Sequence, residues 1–208
     1  MKKILAAVLI AALATPASAW EAQTTGAGLA EQAATSSKLH DRLVALGFTG
    51  GLYEELTVPP KDAPELIEAL DRYSPSGGYV PDKRGRQFAL GWLAAGAVLA
   101  DSTTAWSVNH FFDPTTGKGA SLETSFVERL TSSVRRTLGA SDVPDRGMPA
   151  PDWVNAKENT FNLAGFGDQY AKAVRGATPG ERSRAMAGAL VAAGAIVHVL
   201  QDLSLIHI

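Results

Sequence analysis

The sequence predicts an all-α protein, a multi-helix bundle of five to seven helices, on three observations. Apolar residues recur at helical spacing along several stretches, strand-type alternation is scarce, and no internal repeat is visible. The composition agrees: of 208 residues, 46% are hydrophobic and 19% charged, a globular balance in a chain long enough for one domain or two small ones. With 21 acidic side chains against 19 basic ones, the net charge of -2 gives no electrostatic footing for duplex DNA. There is no cysteine. Disulfide scaffolds, iron–sulfur clusters and thiol nucleophiles are thereby excluded, and any metal must be held by His, Asp, Glu or main chain.

Taken in order, residues 1–19 read as a cleaved secretory leader. Lys2 and Lys3 form its charged start, residues 4–14 its apolar run, and Ala17-Ser18-Ala19 its small-residue cleavage site. That run is far short of the ~20 residues needed to cross a bilayer. The expectation is therefore a secreted or periplasmic protein with Trp20 as its mature N-terminus and no transmembrane anchor. Residues 20–202 make the helical domain. Residues 28–46 read as one helix, with Leu29, Ala33, Leu39, Leu43 and Leu46 on one face, Glu31, Lys38 and Asp41 on another, and Gly47 as its stop. Gly50-Gly51 breaks the chain. Asp62-Ala63-Pro64 opens a short helix through Leu66, Ile67 and Leu70, and residues 74–78 form a loop. Lys83-Arg84-Gly85-Arg86 reads as a solvated turn.

Residues 87–100 are apolar on nearly every side, which predicts a helix buried in the bundle. Residues 121–138 are amphipathic, with Phe126, Val127, Leu130 and Val134 opposite Arg129, Arg135 and Arg136. A Pro-rich link over 143–151 leads to a helix over 153–174. Pro179 then starts the last and most apolar helix, running to about Asp202. Its apolar run, 185–197, is too short to span a membrane, and its Ala and Gly residues suit close packing in a core. Residues 203–208, Leu203-Ser204-Leu205-Ile206-His207-Ile208, look like the translation of a sequencing-library adapter. The domain is therefore expected to be incomplete after Asp202, and His207 carries no argument.

The chemistry is expected at two pairs. His198 and Asp202 are four apart on the last helix, so they share a face one turn apart. A buried Asp needs a partner or a metal. The pair alone is satisfied by a His–Asp hydrogen bond near a helix end. The second pair adds ligands: Asp101 closes the buried helix, and the following Asn109-His110-Phe111-Phe112-Asp113-Pro114 can bring His110 back towards it. Phe111 and Phe112 are expected to bury the neighbourhood, and Asp113-Pro114 reads as a turn. Together Asp101, His110, His198 and Asp202 offer two imidazoles and two carboxylates, a set suited to zinc.

These segments, with Trp20 directly after the cleavage site, resemble the zinc-dependent phospholipase C superfamily, which also includes the single-strand-specific fungal nucleases. The resemblance implies an all-α secreted phosphodiesterase with up to three zinc ions and a phospholipid or other phosphodiester substrate. It implies that Asp101, His110, His198 and Asp202 hold one zinc. Asp202 would bridge to a second, held also by the amino nitrogen and carbonyl oxygen of Trp20, and Asp101 is the candidate catalytic base. Metal-bound hydroxide would attack the phosphodiester. The chain also departs from the pattern. No His follows shortly after Trp20, the matching stretch being Thr24-Thr25-Gly26-Ala27-Gly28, and His40 reads as a surface residue of the first helix. The third zinc's ligands would lie beyond Asp202, so this chain carries one zinc site, part of a second and none of the third, and as it stands is expected to be inactive. The alternatives are a single-strand nuclease of the same fold, with Trp106, Trp153, Phe111 or Phe112 as stacking surfaces, and a non-catalytic exported helical protein with a degenerate metal site.

Overall fold

A computed structural model describes residues 22–73, 85–102, 104–119 and 147–205, and the fold is mostly helical. The leader, Trp20, the 74–78 loop, the 121–138 amphipathic stretch and His207 lie outside these residues. A π-helical turn, Ala22–Gly26, runs into α1 (Ala27–Thr35), followed by α2 (Leu39–Ala45) and a 3-10 turn at Gly51–Tyr53. The single helix expected over 28–46 is thus two. Thr35 Oγ bonds back to the Glu31 carbonyl, while Ser37 Oγ donates to the Ala34 carbonyl and accepts from the Leu39 amide. Such hydroxyls compete with the helical ladder for main-chain groups. The buried face also differs from the expected one: Ala27, Ala30, Ala34 and Leu43 face the core, whereas Leu29 is exposed. Gly47 does end the second helix, at a φ of 88° open chiefly to glycine.

Next comes a small sheet that the sequence did not suggest. In it β1 (Glu55–Thr57) pairs antiparallel with β2 (Arg86–Phe88), Leu56 opposite Gln87. Arg86 therefore belongs to a strand, in an exposed ion pair with Glu55 at 3.5 Å. Between the strands, α3 (Pro64–Arg72) begins at its proline as expected and buries Leu66 and Leu70. The buried helix is α4 (Ala89–Ala100), every residue of which except Leu90 is buried. A short α5 (Thr104–Ser107) leads towards His110.

The helix expected over 153–174 is interrupted. Its parts are α6 (Ala150–Trp153) and α7 (Leu163–Arg175), with a loop between them held by asparagines. Asn159 donates to the Trp153 carbonyl, and Asn162 caps α7 by accepting from the Gly165 amide at 2.7 Å. Finally, α8 (Pro179–Leu205) passes through the middle of the protein. A stretch of it is long and apolar enough to cross a membrane, with mean hydropathy 1.6, yet 61% of that window is buried inside this protein. It packs on α4 and α7, and α1 and α3 complete the packing around α4.

The α4–α8 crossing is close. A Cβ on Gly194 would run into the Leu93 carbonyl oxygen, and one on Gly96 into that of Val191, so backbone touches backbone. Asp101 lies five residues beyond Gly96, and His198 four beyond Gly194. At 1.5 Å per residue, each is about 7 Å past the contact, which brings the end of α4 beside the last turns of α8.

Candidate metal centre

Asp101 is the C-terminal cap residue of α4, so the rigid buried helix fixes its position. His198 and Asp202 project from one face of α8. His110 comes from the turn after α5, and two bonds lace that turn to the chain before α6. The Met148 amide donates to Asn109 Oδ1 at 2.7 Å, and the Ala150 amide to the Phe111 carbonyl at 3.0 Å. Three regions of sequence thereby converge. One donor atom from each of the four residues lies within 4.8 Å of all the others.

The contacts are those of a shared centre rather than of separate pairs. Asp202 Oδ2 lies 2.8 Å from His110 Nδ1 and 3.2 Å from His198 Nε2. Asp101 turns one oxygen to each ring, Oδ1 at 3.6 Å from His110 Nδ1 and Oδ2 at 3.2 Å from His198 Nε2. The two rings stand edge to face with centroids 5.3 Å apart. His198 is wholly buried and His110 1% exposed, while the carboxylates reach solvent at 16% for Asp101 and 13% for Asp202. The centre opens on its acidic side.

A metal fits the donor chemistry. Although two carboxylate oxygens sit 3.2 Å from His198 Nε2, neither meets it in hydrogen-bond geometry, so a fully buried nitrogen is left aimed between two anions. Ligand atoms about 2.1 Å from a tetrahedral zinc are spaced ~3.4 Å apart, within the range of the 2.8 to 3.6 Å contacts here. In the metal-free protein the centre polarises itself. Burial alone would push the His198 pKa down, but the carboxylates of Asp101 and Asp202 outweigh it and carry it to about 9. Burial would likewise raise Asp202, and the bond from His110 and the proximity of His198 overcome it, leaving that carboxyl at about 2.

The four expected ligands are therefore brought together, and a buried group that could hold a metal ion is present. Asp113 is a turn residue, as expected: its carboxylate accepts from the Thr115 amide and the Thr116 hydroxyl, which hold its pKa below the ordinary value. His40 stands elsewhere, its Nδ1 accepting from the Leu52 amide at 3.4 Å. Phe111 does not bury the centre. It is 36% exposed, and the apolar residues lining the space beside His110 include Trp106, Trp153 and Val199, with Phe112 packed in the same cluster. One contact escaped sequence reading: Gly26, in the turn just after Trp20, lies so close to His198 that a Cβ there would sit 2.8 Å from Nδ1. No family model, curated protein or solved structure matches this chain.

Proposed function

We propose that this protein is an exported zinc-dependent phosphoric ester hydrolase of the phospholipase C type, acting on phospholipids or other phosphodiesters. The observation that carries the proposal is the buried convergence of Asp101, His110, His198 and Asp202, with all four donor atoms within 4.8 Å. Two imidazoles and two carboxylates match zinc's ligand preferences, and the spacing suits a tetrahedral ion. The turn at Ala22–Gly26 packs on α4 and reaches His198, which supports a part for Trp20, two residues upstream, in a neighbouring zinc site. When bound, zinc supplies Lewis acidity towards a phosphoryl oxygen and acidifies a water. His110 and His198 would present neutral nitrogen donors to the ion, and Asp101 and Asp202, which reach solvent, would balance its charge. Both Asp101 oxygens face imidazoles, which favours its role as ligand over its role as base.

The test is an equilibrium zinc titration of the intact gene product, followed by parallel assays on phosphatidylcholine and on single-stranded DNA and RNA. At least one zinc per chain should bind tightly, and Asp202→Ala should abolish it. Hydrolysis confined to nucleic acid would make the protein a nuclease of the same class. A wild-type chain that takes up no zinc, with melting unchanged by chelator, would leave a non-catalytic helical protein.

A further inference from the structure

Against His110 lies a small cavity lined by Ala100, Trp106, Trp153, Asn159, Ala195 and Val199. Most of the residues that line it are apolar, with the Trp106 and Trp153 rings edge to face at 6.1 Å. Two polar side chains stand among them. His110 Nδ1 is engaged by Asp202, while the buried Nε2 has no hydrogen-bond partner among the described residues. Asn159 is 5% exposed and uses one amide hydrogen on the Trp153 carbonyl and one oxygen lone pair on the Phe161 amide. It keeps one donor and one acceptor position in reserve. The space open to the centre of a water molecule is about 10 Å³, close to what a single water requires.

We infer that this cavity is a binding site for one structural water, which joins His110 Nε2 to Asn159 and makes Asn159 a positioning residue for the metal centre. The inference rests on the metal reading for its purpose but not for its geometry. A neutral His110 that gives the Nδ1 lone pair to an ion carries its proton on Nε2, and that N–H needs an acceptor. With no ion, Nδ1 lies 2.8 Å from Asp202 Oδ2, and whichever ring nitrogen then carries the proton, the buried Nε2 still needs a partner. A water both donates and accepts, so it serves either state. A fixed carbonyl would serve only the first.

The experiment combines a high-resolution crystal structure of the metal-free chain with zinc titrations of two variants at Ala195. Density for one water within hydrogen-bond distance of His110 Nε2 and Asn159 is expected. Ala195→Val, which fills the cavity, should weaken zinc binding by about 10- to 100-fold and shift the His110 ring nitrogen resonances. Ala195→Ser, which offers a hydroxyl in the water's place, should bind near the wild-type level. A dry cavity, or His110 Nε2 bonded directly to a protein group, would overturn the inference even if zinc binds. If the wild type binds no zinc but the water is present, the metal reading fails and the water site stands.

Discussion

At the scale of single residues, the centre is built so that a proton and a metal compete for it. His198 in the metal-free protein has its pKa carried to about 9, against an ordinary 6.5, and Asp202 lies at about 2, against 3.8. The raised histidine stabilises the metal-free fold fully below pH 6.5, and that contribution is lost as pH rises through 9. The lowered aspartate acts the other way, contributing above pH 3.8 and losing its effect as pH falls through 2. Metal-free melting temperature should accordingly be highest between about pH 4 and 6.5 and fall towards pH 9. Zinc requires the neutral imidazole, so its affinity should climb over the same range in which the metal-free fold weakens. Thermal melts from pH 5 to 9, with and without saturating zinc, check both trends: the zinc-induced rise should be small at pH 5 and largest at pH 9. Calorimetry at pH 7 should show about one proton released from His198 per zinc bound. A shift independent of pH would mean that His198 is not a ligand.

At the scale of elements, the centre depends on how closely α4 and α8 cross. Gly194→Ala places a methyl group against the Leu93 carbonyl, and since both helices are rigid there, they must separate. The expected loss is about 3 kcal/mol of stability in urea unfolding, with zinc affinity falling more than for Gly180→Ala, where a Cβ meets nothing within 4 Å. Equal effects at the two glycines would remove the crossing as the device that sets the site. Features set by local spacing were legible in the sequence. The i, i+4 pair of His198 and Asp202 and the start of α3 at Pro64 are of this kind, and so is Asp101 at the end of an apolar helix. Features that arise between distant segments were not. The Leu56–Gln87 pairing joins residues 31 apart, and although the Ala and Gly residues of 185–197 read as suited to close packing, nothing in their spacing paired Gly194 with Leu93 or Gly96 with Val191. The breaks at 36–38 and 154–162 were legible in principle from their Ser and Asn residues, but the helical spacing of the apolar residues on either side concealed them.

At the scale of the whole molecule, the apolar α8 is the axis on which the rest is hung, and its two ends are secured differently. Its first turns are held by Arg182, whose guanidinium donates to the Ala173 and Leu46 carbonyls and lies 5.0 Å from the centroid of the Phe48 ring. That contact ties α8 to the ends of α7 and α2, and Arg182→Ala should cost roughly 2 kcal/mol in urea unfolding without altering zinc affinity. Its last turns are held by the packing of Val199 and Leu203 with Trp153 and by the centre, where the charges of His198 and Asp202 have the Asp101 and His110 side chains as partners. Hydrogen exchange with and without zinc should therefore be asymmetric. Amides of 196–203, 99–102 and 108–112 should gain protection, because opening those segments releases the ion, whereas amides of 64–72 and 179–186 should change little. Chelation should return the first group to its original rates. Uniform slowing across α8 would instead mean that the helix opens as one unit, with the centre stabilising the entire fold rather than its own end.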